Sequence, residues 1–252
     1  MNPIIFNAVF YRTLLNIKRR PVILFLSFLQ PLIWMSFFGF LFQRFPVNDG
    51  GETIKYIDFL LPGVCGMTVL LGSSQSGISI IRDSQTGFLE RTMTTALDLH
   101  SFIFGKISAD LCRVIFQAFV VVALGLLLGA TISLNLTTLI SFIFLGLFGF
   151  AYICLSCLIA SKTGSQEALS AFIHIVNMPI FFTSTALVPL KAMPHWMEQF
   201  AQWNPLTLAV TPVRNAMFMQ PYWWSYKSFF ILLTLSILLY YLVLNILNCE
   251  RC

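Results

Sequence analysis

The sequence predicts an all-α, polytopic membrane protein, and three observations carry that expectation. Apolar residue types make up 58% of the 252 residues and charged types only 10%, against roughly 25% charged in a soluble domain. The mean hydropathy is +0.83. Stretches without Asp, Glu, Lys or Arg recur at 22 residues or more, and a bilayer core about 30 Å thick requires about 20 apolar helical residues. Fifteen basic and ten acidic side chains cannot cover a water-soluble globule of this size. A soluble enzyme, a disordered chain and a nucleic-acid binder are therefore excluded. The net charge of +5 reads as loop bias in a membrane protein.

The chain is expected to form a single transmembrane domain. Residues 1–20 place Phe6, Phe10, Leu14 and Ile17 on one helical stripe, with Arg12 and Arg19 off it. That is the pattern of a helix lying on the membrane surface. Pro21–Gln43 and Phe59–Ile81 are the first two charge-free runs, each long enough to span. Between Arg82 and Lys106 the chain is polar and charged, with Phe88, Leu89, Met93 and Leu97 set among the charges. A short helix from about Gly87 to Thr95 would present an apolar knob rimmed by Glu90 and Arg91, suited to a groove on another protein; a plain surface loop is the alternative. Val114–Ser161 holds 48 charge-free residues, two spans with a turn near Ser133–Asn135. Ala168–Leu190 and Ser228–Cys249 supply a fifth and a sixth span. Residues 189–226, between these two, carry five Pro and four Trp. Repeated Pro stops any single long helix, and Trp gathers at the membrane boundary. Gln199–Gln220, interrupted by Asn204-Pro205, Pro212 and Arg214, is expected to enter the outer leaflet and return.

With the N-terminus inside, ten Lys and Arg fall on the cytoplasmic side and five outside. The cluster Lys18-Arg19-Arg20 directly precedes the first span. Both termini are therefore expected in the cytoplasm. Six cysteines form no secreted-type framework, and Cys154-x-x-Cys157 and Cys249-x-x-Cys252 are each half of a zinc site. Gly72–Gly77 has phosphate-loop glycine spacing, but Ile78 stands where the lysine must be. His100, His174 and His195 are too dispersed to share a metal, and no catalytic set converges. Polar groups inside spans are costly in lipid. Gln30, Gln75, His174 and Asn177 could each line a translocation path or bond to a neighbouring helix.

Taken together, Leu61-Pro62-Gly63, Arg82-Asp83, Gly87, Leu89-Glu90, Thr94-Thr95 and Gly105-Lys106, followed by Val188-Pro189-Leu190, Met193-Pro194, Trp203-Asn204-Pro205-Leu206-Thr207 and Arg214, resemble the membrane subunit of type-2 ATP-binding-cassette exporters. Drug-resistance, nodulation-factor and polysaccharide export permeases belong to that family. The resemblance implies a homodimer in the plasma membrane, most simply a bacterial inner membrane, joined to two copies of a cytoplasmic ATPase. ATP and Mg would be bound by that partner and no cofactor by this chain. It implies that Gly87, Phe88, Leu89, Glu90 and Arg91 form the ATPase-coupling surface. The cargo would be amphipathic, lipid-linked or saccharide-like. Two departures, Ala96 where the family commonly has Pro, and Leu208 and Thr211 where it often has Tyr and Asp, bear on the subfamily. The alternative is a secondary transporter or channel without an ATPase, which would call for midplane charges or an inverted repeat; neither is visible.

Overall fold

The computed structural model describes residues 2–19, 21–42, 47–49, 52–87, 98–133, 135–220 and 224–249. Helix α1 (Pro3–Lys18) begins at Asn2, whose side chain accepts from the Ile4 N–H, with Pro3 at the first helical position. α2 (Pro21–Leu41) follows. A short antiparallel hairpin, β1 (Val47–Asp49) with β2 (Glu52–Ile54), then leads into the core; it is the one departure from all-α architecture among the described residues. α3 (Tyr56–Ser74) and α4 (Ser76–Gln85) are two parts of one broken rod. α5 (Leu99–Leu127) and α6 (Leu136–Thr163) are long antiparallel helices. α7 (Gln166–Phe182), a 3-10 turn (Leu190–Ala192), α8 (His195–Trp203), α9 (Pro205–Met217) and α10 (Tyr226–Cys249) complete the chain.

α6 is the axis of the bundle: α3, α4, α5, α7, α9 and α10 all pack on it. Its Phe144, Leu145, Phe148 and Ile153 are fully enclosed. α3 is the most buried of the apolar helices, because α2, α5, α6, α7 and α9 surround it. α1 lies across α5, where Phe6 meets Phe104 with ring centroids 5.8 Å apart and Val9 is buried. Phe6, Phe10, Leu14 and Ile17 of the expected stripe are all half-buried, and Arg12, off that stripe, faces the bundle, where it meets Asp83. Asn2 fixes the start of α1 by donating its N–H to the Ser101 hydroxyl at 2.7 Å, beside Asp98, which caps α5. The same Ser101 hydroxyl, donating to Asp98 at 2.6 Å, holds that carboxyl below the usual carboxylate range.

Among the described residues four helices are long and apolar enough to cross a membrane: Tyr56–Gln85, His100–Leu127, Leu136–Thr163 and Tyr226–Leu247. The second, third, fourth and sixth expected spans correspond to these. The second is longer than the charge-free run, because its helix takes in Asp58 at one end and Arg82 and Asp83 at the other. The fifth is shorter. α7 stops at Phe182 after 17 residues, where the Thr183 and Ser184 hydroxyls turn back onto the Pro179 and Phe181 carbonyls. Of the first, the stretch Leu29–Leu41 is a shorter apolar helix. The Pro- and Trp-rich segment forms two short helices rather than one, as the prolines require. They are divided at Asn204, whose Oδ1 caps α9 at Leu206 N–H and whose Nδ2 donates to Ile180 O at 2.7 Å. α9, with 13 residues, is about 20 Å long, short of a bilayer core.

The break between α3 and α4 has an identifiable cause. At Gln75 the α-helical ladder is interrupted, and the Ser156 hydroxyl of α6 enters the gap. It accepts from the Gly77 N–H at 3.0 Å and donates to the Ser74 carbonyl. Insertion of a side chain into the ladder kinks a helix, and here the inserted group satisfies both backbone atoms it displaces. Only glycine fits at 77, since a Cβ there would collide with the Ser156 carbonyl. Ser156→Ala should orphan a buried donor and a buried acceptor, at about 1–3 kcal/mol each. Thermal unfolding of the detergent-solubilised protein should therefore fall by about 5–10 °C. Ser161→Ala, which removes only a local bond to Leu158, should change little; equal shifts for the two variants would mean that the bridge does not stabilise the break.

Candidate coupling and translocation site

α4 leaves the break and runs to the polar loop. Asp83 lies on its last turns, between two cations from different elements. Arg12 of α1 reaches its Oδ1 at 3.1 Å, and Lys106 of α5 contacts its Oδ2. Their burial differs: the Lys106 side chain is 6% exposed and that of Arg12 37%. One turn deeper, Asp110 and Arg113 of α5 pair at 3.5 Å, as their spacing suggests. Arg113 also donates to the Gly72 carbonyl at 3.0 Å, just before the break. A cavity of about 410 Å³ opens among these groups and includes Gln75, Ser79 and Arg82. One carboxylate thus ties the surface helix α1, the arm α4 and the span α5 together.

Deeper in the bundle there are hydrogen bonds between uncharged groups and no ion pairs among the described residues. Asn177 of α7 donates to the Ser74 hydroxyl at 2.9 Å and accepts from the Tyr152 hydroxyl at 2.6 Å. This neutral relay joins α3, α6 and α7 at the level of the break. At the opposite end Asp58 accepts from the Thr131 N–H and hydroxyl at 2.6 and 2.7 Å, fixing the turn after α5. Arg214 of α9 is 4% exposed and donates to the Thr185 and Phe59 carbonyls at 2.7 and 3.3 Å, with its guanidinium 3.8 Å from the Phe59 ring centre. Carbonyl dipoles and a ring face let a cation sit in an apolar surrounding.

The residues singled out from the sequence divide accordingly. Gly87 ends α4 with φ +67°, a left-handed turn that favours glycine, and so does not begin a helix. Phe88, Leu89, Glu90 and Arg91 lie outside the described residues. Gln75 is exposed at the break, on the charged cavity. Asn177 is buried and bonded to neighbouring helices. Gln30 of α2 and His174 of α7 are both exposed. The two helices touch through Trp34 and Phe181, edge to face at 5.7 Å. Gln30 and His174 thus lie on neighbouring helices in the same half of the bundle, about 6 and 10 Å before that contact. Sequence reasoning missed Arg12, Asp83 and Lys106 as one cluster, and Ser156 as the bridge. The visible signal was that each charge stands within a turn or two of an apolar run. Among the described residues no three His, Cys, Asp or Glu side chains are placed to hold a metal.

The comparisons with known proteins agree on one family. A family model described as ABC-2 type transporter matches residues 5–218. The provisionally named transport permease ycf38 of Cyanophora paradoxa is 33% identical over 204 residues, which cover 81% of this chain and 70% of that protein. Its counterpart in Porphyra purpurea is 33% identical over 208 residues, covering 82% and 72%. The daunorubicin resistance ABC transporter permease protein DrrB1 of Streptomyces coeruleorubidus is 28% identical over 208 residues, again covering 82% and 72%.

The unequal burial of the two cations predicts unequal losses. Asp83→Asn leaves Lys106 nearly buried beside a neutral amide and should cost about 2–4 kcal/mol. Arg12→Gln removes a half-exposed partner and should cost less than about 1 kcal/mol. Unfolding of both variants at low salt measures this; equal losses would show that the Lys106 contact does not contribute.

Proposed function

Since this chain belongs to the ABC-2 type transporter family, and is a membrane permease subunit of that kind, we propose that it forms a homodimeric export path driven by two copies of a separate cytoplasmic ATPase. ATP and Mg reside on that partner, and this chain contributes docking, motion and a path. The observation that carries the reading is the tether at Asp83. The arm α4 ends at Gly87, where the loop bearing Phe88, Leu89, Glu90 and Arg91 begins, and Asp83 binds that arm to α1 and α5. A push on the loop is then delivered to the surface helix and a span together, with the Gln75 break as pivot. Closure of the ATPases shifts the population between inward- and outward-open arrangements.

In this reading both termini are cytoplasmic, in a bacterial inner membrane. α2 and α7 are the first and fifth of six spans, and α8 and α9 dip into the outer leaflet. The two copies meet through α2 and α7. Leu29, Ile33, Phe37 and Phe40 of α2 and Ile175, Met178 and Phe182 of α7 are exposed in the single chain. The polar Gln30 and His174 share that side, where lipid would be a costly neighbour. By contrast α10 exposes Phe230, Ile237, Leu238, Tyr241 and Leu242, a surface suited to lipid. An apolar path wall with sparse polar groups fits an amphipathic cargo, the class to which the name of the Streptomyces relative also points.

Two experiments test these parts separately. Truncating Phe88 and Leu89 together to Ala should weaken ATPase co-purification about ten- to hundredfold, the worth of about 1.5–3 kcal/mol of buried side chain, at unchanged membrane abundance. Unchanged binding and transport would reduce the loop to a connector. In a cysteine-free background, Phe37→Cys should cross-link between copies and Phe230→Cys should not. The reverse pattern would move the dimer to another face.

A further inference from the structure

At the end of the bundle opposite Asp83, a cavity of about 260 Å³ opens between α9, the segment after α7 and the start of α10. Its charged groups, Arg214 and Lys227, share one sign. Thr207, Thr211, Arg214 and Asn215 of α9 line it, at i, i+4, i+7 and i+8 and so on one helical face. Lys227, on the first turn of α10, faces them, with its ammonium 4.2 Å from the Trp203 ring centre. Among the described residues no carboxylate lines the cavity. Thr185 adds an independent observation. It lines the cavity, is 4% exposed, and its hydroxyl oxygen has no hydrogen-bond partner. An unsatisfied buried hydroxyl is costly, and a ligand oxygen in the cavity would satisfy it.

We propose that this vestibule binds a phosphate-type oxyanion. Two cationic side chains supply the charge, and the Thr185, Thr207 and Thr211 hydroxyls with the Asn215 amide supply donors for several oxygens. Charge-assisted hydrogen bonds of this kind are short and strong. The volume suits a small anion or a lipid headgroup rather than a drug-sized molecule. The shared chemistry is the phosphate group, offered either by free inorganic phosphate or by the phosphodiester of an anionic lipid. No ATPase contact is involved, so the site stands or falls independently of the coupling reading.

The test uses the whole purified chain and its intrinsic tryptophan fluorescence, since Trp203 lies beneath Lys227. One arm titrates inorganic phosphate at constant ionic strength in detergent. The other compares nanodiscs of phosphatidylcholine alone with nanodiscs containing equal parts phosphatidylglycerol, read by the same signal and by native mass spectrometry for retained lipid. A saturable response to phosphate assigns the free ion, and a response confined to phosphatidylglycerol assigns the headgroup. Lys227→Gln, at an exposed position, should raise the apparent Kd about three- to tenfold, and Thr185→Val should also weaken binding. Thr211→Glu, which sets a carboxylate among the donors, should abolish it. Absence of a saturable response to either probe, or an unchanged response in Lys227→Gln and Thr211→Glu, overturns the proposal.

Discussion

The fold depends on one hydroxyl. α3 and α4 can bend within the apolar interior only if the backbone groups exposed at the bend find partners, because an unsatisfied N–H or carbonyl there costs several times the thermal energy. Ser156 provides both partners from the neighbouring helix. Beyond the break α4 carries Asp83 to Arg12 of α1 and Lys106 of α5. The break also places Gln75 on the polar cavity and brings Ser74 to Asn177 and Tyr152.

Charge is segregated by depth, and the segregation follows from the solvent. Asp83, Lys106, Arg12, Asp110 and Arg113 gather at one end, and Asp58 and Arg214 at the other. The groups joining the helices between them are neutral hydroxyls and an amide. A neutral relay can exchange partners without moving charge across a low-dielectric region, so rearrangement of α3, α6 and α7 past one another is less costly than it would be with ion pairs in the same place. The charged ends provide fixed points. Helices anchored by charge at their ends and joined by neutral bonds between them can shift past one another without uncovering a buried charge.

Much of this was legible in the sequence, and the residues show why. Val114–Ser161 could be read as two helices because a charge-free run of that length has no other stable form in lipid. The division at Asn204-Pro205 followed from a cap residue before a residue that tolerates only the first turn of a helix. The break at Gln75 was hidden, because Ser73 to Gly77 reads as a mildly polar helical stretch and the group that opens it is 79 positions from Gly77. α7 was overestimated because Thr183 to Leu187 carries no charge. Its Thr183 and Ser184 hydroxyls close the helix end and its Thr185 carbonyl receives Arg214, and hydropathy does not register that. The sequence marked Arg214 as too costly for the bilayer centre but could not show the Thr185 and Phe59 carbonyls that receive it. The expected coupling surface Gly87–Arg91 rests on sequence pattern and resemblance, and of its five residues only Gly87 is described.

The two contacts of Asp83 differ in their access to water, and this bears on ionic strength. At physiological salt, charges are screened over about 8 Å of solution, and the half-exposed Arg12 contact feels that screening while the enclosed Lys106 contact does not. α1 is also held on α5 by the Asn2 N–H, which reaches the Ser101 hydroxyl and the Asp98 carboxylate, and by the packing of Phe6 on Phe104 and the burial of Val9, and that apolar packing is not weakened by salt. Rising ionic strength therefore weakens the Arg12 contact before the Lys106 contact. The hold of α1 on α4 is thereby graded by ionic strength, while α1 stays packed on α5 through Phe6 and Val9 and α4 and α5 remain joined.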